Sequence, residues 1–161
     1  LRVFAQRSDT GQQKRSPRVD ELLKREAQAG MLSADYYSGF QAKTDRVKNN
    51  FLAFLLRARR QGKTVGAYGA AAKGNTLLNY TGIRPDLISF VVDRNPVKQG
   101  KYMPGSRIPI VDEAWLRREK PNYVVILPWN LKLEIMQQLS YVGDWGGKFV
   151  TVIPKINSRL D

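Results

Sequence analysis

The chain has 161 residues and a mass of 18.3 kDa, with 42% hydrophobic and 25% charged residues, enough for one globular domain with a sizeable core and a helical extension. It contains no Cys and no His, which removes disulfides, thiolate metal sites and any Ser-His-Asp or Cys-His hydrolase built from this chain alone. A net charge of +13 and a pI of about 10.2 favour anionic partners, while no apolar run approaches the roughly 20 residues a membrane helix needs.

In chain order, Leu1 to Ala5 reads as the end of a β-strand whose sheet lies upstream, and Leu1 in place of Met reads as a piece of a longer chain. Residues 7–18 are polar, with Gly11 and Pro17 as breakers, and read as a linker. Val19–Met31 is expected to be helical, with Gly30 as its stop, and Ser33 to cap one long helix over 34–61. Tyr36, Phe40, Val47, Phe51, Phe54, Leu55 and Ala58 keep helical spacing there, so one face is buried. Arg57, Arg59, Arg60 and Lys63 close that helix. Cations at a helix C-terminus oppose its dipole; a membrane-surface or nucleic-acid contact is the sharper reading of the same cluster. The positive excess is spread along the chain, +8 over residues 1–63 and +5 over 64–161.

From residue 63 the pattern becomes strand and helix in alternation. Strands are expected at 64–68, 87–93, 108–111, 123–127 and 148–153, with helices at 70–79, 113–119 and 131–139. That order predicts an α/β fold, a Rossmann-like, doubly wound and mainly parallel five-stranded sheet of order 3-2-1-4-5, carrying an N-terminal helical extension. The expected organisation is 1–18 as the end of an upstream domain and linker, 19–62 as the helical extension, and 63–161 as the Rossmann-like domain.

The most informative stretch is the run from Gly66 through Tyr68 and Gly69 to Lys73, Gly74, Asn75 and Thr76. It falls between a strand and a helix, where backbone N–H groups and the helix dipole make an anion site. Gly69 allows a tight turn, Lys73 supplies charge, and Asn75 and Thr76 supply side-chain hydrogen bonds. The spacing is neither G-x-G-x-x-G nor a P-loop, and small residues here also serve simply to pack helix on sheet. Asp93 lies 24 residues after Gly69; it either receives ribose hydroxyls, as such an acid does in dinucleotide folds, or caps the Arg94-Asn95-Pro96 turn. Lys98 belongs to a basic Gly/Pro loop that either closes over a phosphate or merely connects strands. Trp129 and Asn130 end the fourth strand, to stack on and read a base or sugar, or to form a surface aromatic and a helix cap. Trp115 and Trp145 read as packing residues.

The segments GAYGAAAKGNTLLNY, FVVDRNPVKQGKYMPGSRIPI and VILPWN together resemble the C-terminal domain of the sugar C-methyltransferase family, in order from about Gly66 to Pro154. The resemblance implies an enzyme dependent on S-adenosylmethionine that methylates a carbon of a nucleotide-linked deoxysugar. It further implies zinc in a separate N-terminal domain and a central domain that binds the methyl donor and holds the catalytic residues, so none of those is expected here and this piece alone is expected to be inactive. A nucleotide-sugar substrate and the upstream methyltransferase domain are then the partners, in the cytoplasm, with neither membrane nor nucleic acid. Tyr68, Gly69, Lys73, Gly74, Asn75, Thr76, Asp93, Lys98, Trp129 and Asn130 would hold the substrate nucleotide. Two rival readings are an NAD(P)-binding oxidoreductase domain and a basic module that binds nucleic acid or protein.

Overall fold

The computed structural model describes residues 2–160, which divide into two compact units, one through Ala42 and the other from Lys43. In the first unit the expected strand is absent over residues 2–5, and Leu1 lies outside the described residues. A strand exists only as a paired ladder, and among the described residues nothing pairs with 2–5. Helix α1 (Pro17–Gln28) starts two residues earlier than expected, because the Ser16 hydroxyl accepts from Arg18 N and Pro17 sits in the first turn, where its missing N–H costs nothing. Ser33 does cap a turn, accepting from Asp35 N at 3.2 Å, but the turn is a short 3₁₀ segment, Ala34–Tyr37. The single helix expected over 34–61 is therefore broken. Ser38 donates its hydroxyl to Asp35 O and Gly39 follows, so α2 (Phe40–Arg60) begins afresh. No residue of α1 is buried.

The second unit is α/β and Rossmann-like. Strands β1 (Val65–Tyr68), β2 (Val91–Val92), β3 (Ile110–Val111), β4 (Tyr123–Ile126) and β5 (Lys148–Thr151) are mutually parallel in the order 3-2-1-4-5. A sixth strand, β6 (Asn157–Leu160), joins β5 antiparallel and was not expected. Helices α3 (Ala72–Thr81), α4 (Glu113–Glu119) and α5 (Lys132–Gln138) connect the strands, and a 3₁₀ segment, Ser140–Trp145, follows α5.

Strand alternation sends side chains to two cores. On one face Val65, Ala67, Val91, Val125 and Val150 pack with Phe51, Leu55 and Ala58 of α2 and with Leu77 and Leu78 of α3. On the other Tyr68, Phe90, Val92, Val124, Ile126 and Phe149 pack with Leu116 of α4, Ile135 of α5, Leu139 and Val142. Both faces of the central strands are thus covered, as a parallel sheet requires. Helix α2 ends as expected at Gly62 (φ +65°), where Lys63 N donates back to Ala58 O and so satisfies a terminal carbonyl.

Candidate functional site

In this strand order the connections leave β1 in opposite directions, toward β2 on one side and toward β4 on the other. The crevice beyond the carboxyl ends of β1 and β4 is the place where open α/β sheets take ligands. Three segments meet there: the β1–α3 turn, the segment after β2, and the segment after β4.

The β1–α3 turn is shaped by close approach. Gly69 has φ +93°, and a Cβ on it would fall 2.5 Å from the ring of Pro128. Gly74 is buried in the first turn of α3, and a Cβ there would fall 2.7 Å from Cβ of Leu127. Both glycines therefore let the turn and helix ride directly on the end of β4. Helix α3 starts at Ala72, two residues later than expected, because the Ala70 N–H is taken by Asp93 at 2.8 Å. Ala71, the residue before the helix, provides no side-chain cap, so the first N–H groups of α3 carry no protein side chain as acceptor.

Lys73 and Asn130, 57 residues apart, are brought together: the Lys73 ammonium donates to Asn130 Oδ1 and lies 4.9 Å from the centroid of the Trp129 ring. Among the described residues it makes no ion pair. Asn130 does not cap α5, whose N-terminus has no side-chain cap; Trp129 and Asn130 instead form a separate 3₁₀ turn, with Trp129 half-buried against the core of the α3 face. Asn75 is half-buried, and its Oδ1 is sealed from solvent without a hydrogen-bond partner. The Thr76 hydroxyl donates back to Ala72 O.

Asp93 and Lys98 are occupied differently. The Asp93 carboxylate accepts from Ala70 N at 2.8 Å, Asn95 N at 2.9 Å and Lys98 Nζ at 3.2 Å. Lys98 Nζ also donates to Ala70 O at 2.9 Å. Tyr68 turns to the other face of the sheet, where burial first, and then the negative charge of Glu113, push its phenol above the usual tyrosine value. Ala70, which the sequence suggests is one of the small residues that let a phosphate or ribose come close to the backbone, has its N–H and C=O both bound by the Asp93–Lys98 pair.

With no His or Cys in the chain and, among the described residues, no group of three carboxylates, the side chains present do not fit a zinc ion. Trp115 lies on α4 with Arg118 stacked 3.7 Å from its ring centroid. Trp145 packs at the second core, and its indole N–H donates to Pro121 O. Among the described residues no helix is long and apolar enough to cross a membrane.

A family model described as the C-methyltransferase C-terminal domain matches residues 1–154. The chain is also 35% identical over 139 residues to the C-methyltransferase NovU of Streptomyces niveus, an alignment that takes in 86% of this chain and 33% of that relative. The chain thus spans about a third of the length of the curated relative it matches.

Proposed function

The chain belongs to the C-methyltransferase C-terminal domain family, and from that premise we propose that it holds a nucleotide-linked keto-deoxysugar while another part of the same protein methylates a sugar carbon. The observation that carries this reading is the Lys73 ammonium, set over Trp129 and bonded by Asn130, with no ion pair among the described residues, at the crevice between β1 and β4. A cation left uncompensated next to an aromatic face suits a diphosphate joined to a base. The diphosphate meets Lys73 and the uncapped N–H groups at the start of α3, and the base takes the face of Trp129 in exchange for the ammonium. Asn130 supplies hydrogen bonds, while Gly69 and Gly74, packed on Pro128 and Leu127, hold the turn against the end of β4.

In the whole enzyme, S-adenosylmethionine, bound outside this chain, supplies the methyl group. The part played here is orientation. Holding the nucleotide end converts an encounter into a positioned reaction, and binding energy from a remote group then supports chemistry it never touches. The NAD(P) alternative draws no support from Asp93, whose carboxylate already accepts three hydrogen bonds instead of standing open to ribose.

The test is a calorimetric titration of the chain with dTDP, UDP, CDP, NADH and S-adenosylmethionine at near-physiological salt. Saturable binding of a pyrimidine diphosphate, with none of NADH or S-adenosylmethionine, is the expected result. Binding of NADH alone would replace this reading with the dinucleotide one, and the absence of all diphosphate binding would remove the role from this chain.

A further inference from the structure

We propose that Asp93 and Lys98 are positioning residues, a charged strut that fixes the Ala70 peptide and thereby aims the first turn of α3 at the ligand, and that Lys98 does not itself bind the phosphate. The inference rests on the nucleotide-binding reading above and says how that site is held in shape.

Four hydrogen bonds define the strut. Asp93 accepts from Ala70 N, Asn95 N and Lys98 Nζ, and Lys98 closes the ring by donating to Ala70 O. A fifth ties the segment after β2 to the same residue, since the Gln99 side-chain amide donates to Asp93 O at 2.9 Å. Both backbone polar groups of Ala70 are therefore held by side chains from one segment. Ala70 lies between Gly69, whose N–H is anchored on Val92 O at 2.7 Å, and Ala71, which precedes the helix. Glycine at 69 gives the turn a freedom that meets one local restraint, the Ala71 N–H donated to Gly69 O at 2.8 Å, and α3 has no side-chain cap of its own. The strut provides the missing restraint from 23 and 28 residues away.

Charge and exposure fit this role better than direct contact. The Asp93 side chain is 13% exposed and that of Lys98 40%, so the pair sits partly out of water, where its hydrogen bonds count for more than those of a surface ion pair. Two of the three ammonium donors are used internally, and Asp93 cancels the Lys98 charge at close range. Lys73, with no such partner among the described residues, keeps its charge for a ligand.

The two roles predict opposite signs for one substitution. Asp93→Asn removes a negative charge from the rim of an anion site. If Lys98 touches phosphate, dTDP then binds as tightly as before or more tightly; if the pair is a strut, dTDP binds more weakly although the site has become more positive. Calorimetric titration of the whole chain with dTDP, together with amide exchange over residues 69–74, distinguishes them. Expected are a loss of about tenfold or more in affinity for both Asp93→Asn and Lys98→Met, faster exchange at Ala70 in both, and substantial recovery in Lys98→Arg. Lys98 is partly exposed, so Lys98→Met stays informative should Asp93→Asn fold poorly.

Unchanged or tighter binding by Asp93→Asn beside weaker binding by Lys98→Met overturns the strut in favour of direct contact. Parent-like binding by both variants overturns it outright. A parent chain that binds no dTDP marks a different failure, that of the nucleotide reading itself, and the strut's proposed purpose falls with it.

Discussion

On α4, Arg117 lies 3.3 Å from the centroid of the Tyr141 ring; at the carboxyl edge of the sheet, Lys73 lies 4.9 Å from that of Trp129. Both are cations over aromatic rings, yet they differ in what surrounds them. Glu113 stands 3.8 Å from Arg117 and accepts the Tyr141 hydroxyl at 2.7 Å, so charge, ring and phenol form a closed triangle. Around Lys73 the corresponding position belongs to Asn130, which is neutral. The α4 triangle needs nothing further and works as a brace between α4 and the segment after α5. The Lys73 group satisfies its hydrogen bond but leaves its charge open, and that difference separates a packing cluster from a candidate binding site.

Substitutions separate the two clusters. The largest effect is expected for Gly74→Val, which drives a branched side chain into Leu127 at a position where even a Cβ would fall 2.7 Å from its neighbour. A loss of about 2–3 kcal/mol in urea unfolding is expected from such overpacking, and a wild-type midpoint would show that α3 can lift off β4 without penalty. Next comes Asn130→Asp, which closes the open group by giving Lys73 a carboxylate. Affinity for dTDP should fall about thirtyfold, near 2 kcal/mol, whereas Glu113→Gln, which opens the α4 triangle, should create no nucleotide binding there. Binding by Asn130→Asp at the parent level would refute the importance of the uncompensated charge.

Lys73→Ala should weaken dTDP about tenfold, or 1.4 kcal/mol, while Arg117→Ala leaves the titration unchanged; equal losses in both would erase the distinction. The smallest effect belongs to Tyr141→Phe, at about 1 kcal/mol near neutral pH for the lost hydrogen bond to Glu113. Burial first, and then that hydrogen bond, hold the Tyr141 phenol above its ordinary value, so its stabilising contribution is complete below about pH 10 and is lost as pH rises beyond it. Unfolding at about pH 8 and about pH 11 should therefore show a shallower alkaline loss in the variant.

The sheet was legible because its signal is local: short apolar runs alternating with helical ones dictate parallel pairing and right-handed crossovers. What escaped depends on distant partners. Asn157–Leu160 has no strand character of its own and pairs only because β5 offers an edge. The break between Tyr37 and Phe40 is the exception, a local one, where the Ser38 hydroxyl donates to the Asp35 carbonyl three residues back. At the candidate site, Gly69 was readable as a turn, since its neighbours in sequence demand one. The bond between Lys73 and Asn130, and the convergence of Asp93 and Lys98 on Ala70, span 23 to 57 residues. No spacing rule encodes them. Residue types could suggest an anion site, whereas only the folded chain tells the cation that is open from the one that is tied.

The unexpected sixth strand bears on how the protein behaves in concentrated solution. A sheet of parallel strands ends in rows of unpaired N–H and C=O groups that can recruit another chain. Here one margin is the two-residue β3, too short to template much, and the other is shielded by β6, which takes up the outward groups of β5 from Phe149 to Thr151. Removing residues 157–160 would bare the outer edge of β5, where Phe149 to Thr151 carry the aromatic and β-branched residues that suit pairing with another strand. Pairing with β6 thus uses the outward groups of β5 within the chain, a duty separate from any ligand the domain holds.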